Sequence, residues 1–120
     1  YGLAAFAGAR VDFVDSSVLN TLSNEAGGFG YGVSAGEAAE LTASGCTLDG
    51  NTQIGLVAND AGTLVTLDEC SITGTLRGRE MAFAVGLGVQ FEAVVTVTDS
   101  DISTTAGPGV YRTSAGVRVV

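Results

Sequence analysis

The feature that most constrains this chain is an internal repeat. Leu41-Thr-Ala-Ser-Gly-Cys-Thr-Leu48 and Val65-Thr-Leu-Asp-Glu-Cys-Ser-Ile72 match position by position, 24 residues apart. Two further copies, Val11 to Val18 and Val95 to Ile102, follow the same template. A truncated fifth begins at Val119, so the spacings alternate 30, 24, 30 and 24. A Gly followed by Leu or Val precedes each copy, at Gly2-Leu3, Gly32-Val33, Gly55-Leu56, Gly86-Leu87 and Gly109-Val110. Self-similarity at such a period means that each repeat is a small unit, unable to bury its apolar face until it stacks on its neighbours.

Within each copy apolar and polar residues alternate, which is the two-residue period of a β-strand. No segment sustains an apolar period of 3.6 residues, so almost no helix is expected. Equivalent positions of stacked strands, about 4.8 Å apart, should form rows. Leu3, Val33, Leu56, Leu87 and Val110 make one aliphatic row, and Val11, Leu41, Val65, Val95 and Val119 another. Val18, Leu48, Ile72 and Ile102 make a third. In a fourth, Phe13, Ala43, Leu67 and Val97, a large residue faces a small one, as close packing requires. Ser16, Cys46, Cys70 and Ser100 form a row of small residues, expected inward at a bend. The additional residues of the longer repeats fall in one place, the connections Leu19–Tyr31 and Thr73–Val85. Tyr31 and Val85 have the parity of inward residues, so the strands should start early there. Leu22, Phe29, Leu76, Met81 and Phe83 are expected to fold over the corner as an apolar patch, leaving Arg77, Arg79 and Glu80 exposed.

The pattern Gly-Leu/Val, then Gly/Ala, then Val-x-Val-x-x-Ser/Cys-x-Ile resembles the parallel β-helix repeats of bacterial extracellular proteins in the pectate-lyase-like superfamily. The resemblance covers nearly the whole chain. It implies an all-β fold, a right-handed parallel β-helix (solenoid) of about five turns with alternating 24- and 30-residue repeats. Residues 1–120 then form a single domain, expected to be a segment of a longer coil. The resemblance does not imply one activity, because that superfamily includes polysaccharide lyases, glycoside hydrolases, epimerases, phage tailspikes and adhesins.

Charge and composition narrow the functional classes. The chain has 13 acidic residues against five basic ones, a net charge of −8 with no His, and all five basic residues are Arg. Such a surface repels nucleic acid and anionic bilayers. Apolar runs are short and interrupted, so no membrane insertion is expected. The apolar start, Tyr1 to Gly8, has no basic segment before it and does not read as a signal peptide. Pectin hydrolases of the resembled superfamily use a His-Gly and an Arg-x-Lys segment, and a chain with neither His nor Lys cannot supply them. The calcium-dependent lyases add an Arg or Lys base to acidic ligands, and Arg112 and Arg118 sit in no matching motif. No catalytic residue is assigned.

Three groups remain as candidate sites. Cys46 and Cys70 share a row on adjacent turns. Their Cα atoms would fall within the disulfide range, whereas in-register Cβ atoms about 4.8 Å apart exceed the usual span of about 3.5–4.5 Å. They are either buried thiols or a disulfide. Glu69 and Asp99 should be neighbours on successive turns, with Asp101 and Asp68 beside them. Clustered hard oxygens suit calcium, the one cofactor considered, while solvated turn carboxylates are the plainer reading. Thr42, Thr66 and Thr96 form an outward row whose hydroxyls suit a sugar, although Thr also simply favours exposed strands.

The expected function is a non-catalytic extracellular or cell-surface β-helix module: an adhesin, a stalk or a carbohydrate-contacting scaffold with polysaccharide as partner. One alternative is a fragment of a polysaccharide-acting enzyme. The other is a structural element that stacks end to end through its open sheet edges.

Overall fold

A computed structural model describes the chain except residues 26, 29, 79–83, 106, 113–116 and 120, and describes residues 117–119 by their backbone alone. Phe29, Arg79, Glu80, Met81 and Phe83, on which the expected corner patch largely rests, lie outside the described residues.

The described residues form an all-β structure without helix. Its strands are β1 (Leu3–Ala5), β2 (Arg10–Val14), β3 (Ser17–Leu19), β4 (Val33–Ala35), β5 (Glu40–Ser44), β6 (Thr47–Asp49), β7 (Ile54–Ala58), β8 (Leu64–Asp68), β9 (Ser71–Thr75), β10 (Val85–Val89), β11 (Val94–Thr98), β12 (Asp101–Thr104), β13 (Val110–Arg112) and β14 (Val117–Val119). Every strand pairs in parallel with the strands three before and three after it. The result is three sheets ordered β1-β4-β7-β10-β13, β2-β5-β8-β11-β14 and β3-β6-β9-β12. Each round of three strands visits the three sheets in turn.

The aliphatic rows appear in the register. Leu3, Val33, Leu56, Leu87 and Val110 pair along the first sheet, Phe13, Ala43, Leu67 and Val97 along the second, and Val18, Leu48, Ile72 and Ile102 along the third. Apart from Val110, which is exposed, their side chains meet in one core, with Leu41, Leu56, Leu67, Ile72 and Leu87 fully buried. The last strand corrects the expected row. Val117, not Val119, pairs with Val95, and Val119 pairs with Val97. A slip of two residues preserves the alternation of faces along the strand.

The row of five glycines is explained by close approach. None of Gly2, Gly32, Gly55, Gly86 and Gly109 has a left-handed φ. A Cβ on Gly2 would sit 2.8 Å from the Gly32 carbonyl oxygen, and one on Gly86 would sit 2.7 Å from that of Gly109. Only a residue without a side chain lets adjacent rounds approach this closely. The small-residue row has its own reason. The residue before each member, Asp15, Gly45, Glu69 and Asp99, has φ of 47, 62, 50 and 46°, so the chain turns from the second sheet to the third through one left-handed residue. The member itself then donates back to a strand carbonyl: Ser16 Oγ to Val14 O (2.7 Å), Cys46 Sγ to Ser44 O (3.2 Å), Cys70 Sγ to Asp68 O (3.3 Å) and Ser100 Oγ to Thr98 O (2.8 Å). Ser and Cys are the small side chains that carry such a donor.

The long connections are tied down by the short one between them. Asn51 is 1% exposed; its Nδ2 donates to Val18 O (3.1 Å) and its Oδ1 accepts from Thr21 N (3.0 Å). Gln53, also buried, donates from Nε2 to Gly27 O (3.2 Å). On its other side the Gln53 backbone donates to Leu76 O (2.7 Å) and accepts from Val85 N (2.8 Å).

Candidate functional site

The outer face of the first sheet carries a second, smaller apolar cluster, formed by Ile54, Val57 and Val85 with Tyr31 packed against it. Of the two early strand starts expected at Tyr31 and Val85, only the second occurs: β10 begins at Val85, whereas β4 begins at Val33. Val85 and Tyr31 nevertheless lie outside the main core. The side-chain alternation resets at Gly32, Gly55 and Gly86, so the residue before each glycine joins outward Val57 instead of inward Leu56.

Above this cluster lies a cleft of about 350 Å³. Tyr1 and Tyr31 stand at one side, with ring centroids 5.8 Å apart and planes tilted by 48°; Tyr1 also meets Phe6 edge to face at 6.1 Å. Ser34, Ile54 and Val57 of the first sheet also line the cleft, together with Phe6, Asn59, Asp60, Gln90 and Phe91. The Phe6 ring lies against Gly36, where a Cβ would come within 3.2 Å of it. Asp60 Oδ2 accepts the Glu37 amide at 3.1 Å. Asn59 Oδ1 is buried without a hydrogen-bond partner among the described residues, an arrangement rare enough to need a reason.

Phe91 is the least expected member. It occupies the tight turn from the first sheet to the second, closed by Ala93 N donating to Gln90 O (3.2 Å), with φ of 52° at Phe91 and 66° at Glu92. A left-handed φ costs about 1–2 kcal/mol for an L-residue other than Gly. The equivalent turns place Ala7 and Glu37 there, at φ of 56 and 53°, so the turn itself does not call for an aromatic. The ring is also 64% exposed. An apolar ring that is both strained and solvated gives folding little in return.

The three groups singled out in the sequence lie elsewhere. Thr42, Thr66 and Thr96 pair in register on the outer face of the second sheet, between exposed Leu64 and Val94 on one side and Ser44, Asp68 and Thr98 on the other. Glu69 and Asp99 occupy successive left-handed corners, with Glu69 N donating to Thr98 O (3.1 Å), and Asp101 begins β12. Among the described residues no three His, Cys, Asp or Glu side chains gather closely enough to hold a metal ion. Cys46 and Cys70 are free, buried thiols, and beyond the bonds above they donate to Phe13 O (3.0 Å) and Ala43 O (3.4 Å) of the neighbouring round.

Burial raises the pKa of the Cys70 thiol above its ordinary value, and backbone hydrogen bonding at Cys46 and Asp68 offsets only part of the rise. Burial and then Tyr1 likewise raise that of the Tyr31 phenol. The folded chain therefore holds both protons more tightly than the unfolded chain. That stability is intact at neutral pH and is lost as pH rises past the unfolded thiol value of about 8.5 and then the phenol value near 10. Urea melts at pH 7, 9 and 10.5 should show a falling midpoint. Cys70→Ser should remove the first part of the fall, since Ser16 and Ser100 fill the same role in other rounds. Both thiols should react with an aromatic disulfide reagent about 100-fold or more slowly in the native than in the denatured chain. Fast native labelling would contradict the burial.

Comparison with family models, with curated proteins and with solved structures finds no match to this chain.

Proposed function

We propose that the chain is a length of right-handed parallel β-helix, a solenoid serving as a non-catalytic surface module of a secreted or cell-surface protein, and that it holds carbohydrate on the outer face of its first sheet. Three sheets, each built from every third strand in parallel, support the architecture. The aromatic cleft supports the function. Concave sites that combine aromatic surface with a few polar groups are where small ligands bind, and aromatic rings match the C–H faces of sugar rings while amide and carboxyl groups match their hydroxyls.

The observation that carries the reading is Phe91, strained and exposed at the rim. A ring kept there for binding should trade stability for function. Phe91→Gly is expected to stabilise the fold by about 1 kcal/mol, which raises Tm by about 4 °C, while weakening glycan binding. A lower Tm would mean that the ring serves packing. The direct test is binding to an array of neutral and acidic polysaccharides, with calcium and with a chelator. Retention of at least one glycan is expected, and no retention under either condition would end the carbohydrate reading.

A further inference from the structure

We infer that the cleft takes an uncharged saccharide, laid across the Phe6–Phe91 rim, and needs no cation to hold it. This rests on the carbohydrate reading above and narrows it to one site and one class of glycan. Among the described residues, the only charged side chain lining the cleft is Asp60. Arg is the sole basic residue type in the chain, and among the described residues none lines the cleft. A uronate or sulfated sugar would bring its anion against the Asp60 carboxylate on a chain of net charge −8, with no guanidinium to receive it. Calcium commonly bridges acidic glycans to acidic proteins, and it takes six to eight oxygen ligands. One carboxylate with an oxygen already accepting the Glu37 amide is a poor start for that shell.

The same lining suits a neutral pyranose. Phe91 and Phe6, 64% and 37% exposed, present ring surface at the rim, and Tyr1, 53% exposed, extends it. Ser34, Asn59, Asp60 and Gln90 supply hydroxyl, amide and carboxylate groups to the lining. Among the described residues, Asn59 Oδ1 is the buried, unpartnered polar atom that lies in the cleft lining. Rotation of its amide toward a sugar hydroxyl would give Oδ1 the donor it lacks. Ser34 and Val57 are outward residues of paired strands, so that part of the lining is rigid sheet.

The test is calorimetric titration of the full chain with cellohexaose, xylohexaose, mannohexaose and hexagalacturonate, each with calcium and with EDTA, and with choline as an aromatic-site cation. At least one neutral hexamer should bind equally well with calcium and with EDTA. Its affinity should fall at least tenfold in Phe91→Gly and in Phe6→Ala, and should be retained in Phe91→Trp. Phe91→Gly must melt no lower than the parent, which separates lost contact from lost fold. Binding of hexagalacturonate in a calcium-dependent manner, choline binding that Phe91→Gly abolishes, or neutral binding unchanged in both variants would overturn the inference. The last two outcomes are distinct from the failure of every saccharide to bind, which would overturn the carbohydrate reading as well.

Discussion

Gly55→Ala should destabilise the fold by about 3 kcal/mol or more, a large fraction of the total for a domain of this size. The added methyl would fall on Ile72 Cγ2, sit 2.7 Å from the Gly86 carbonyl oxygen and come within 3.1 Å of Thr75 Oγ1. None of these neighbours yields cheaply. Ile72 is fully buried in the core, and the Gly86 carbonyl belongs to the backbone of the next round. The strain therefore cannot be relieved by turning one surface side chain, and the first sheet must part locally from its neighbour. Gly8→Ala serves as the control. It lies at an exposed turn with open space around its Cβ, and its φ of 71° carries only the local left-handed cost. Equal losses at the two glycines, measured by urea denaturation, would show that close approach is not what the glycine row provides.

Asn51→Ala is expected to cost about 3 kcal/mol, because truncation strands two backbone groups at once. The Thr21 amide loses its acceptor and the Val18 carbonyl loses a donor, at a site where Asn51 is 1% exposed. The consequence should be local as well as global. Amide exchange in the first long connection, at Thr21 and its neighbours, should accelerate more than exchange at Val65 or Val95 in the core strands. Asn51→Asp keeps the acceptor for Thr21 but turns a donor into a charge facing the Val18 carbonyl, so it should be no milder than Ala. Uniform acceleration across the chain would mean that Asn51 is one core residue among many.

Much of the strand framework was legible because two periods coincide along this chain, the alternation within a strand and the 24- or 30-residue return. Leu41, Val65 and Val95 could be aligned by eye, and they pair as aligned. The same alternation hides a slip of two, which is why Val119 was placed where Val117 pairs. The small-residue row was visible as Ser and Cys, but its need for a donor was not, since the accepting carbonyls belong to the backbone. Asn51 was invisible for a related reason: Asn51-Thr-Gln53 reads as an ordinary polar loop, and its partners lie about 30 residues earlier in the chain. The cleft escaped the sequence because it draws on several positions of the repeat. Tyr1 and Tyr31 do share a phase, each two residues before the aliphatic row, while Phe6 and Phe91 belong to two different turns. Only the stacking of rounds brings the four rings to one face.

The most direct measurement is the backbone amide spectrum of the isotope-labelled 12.0 kDa chain during titration with whichever neutral glycan binds. The account predicts shifts confined to Phe6, Tyr31, Ser34, Val57, Asn59, Asp60, Gln90 and Phe91. Shifts centred on Thr42, Thr66 and Thr96, or on the Glu69–Asp99 corners, would place the ligand on another face and contradict it.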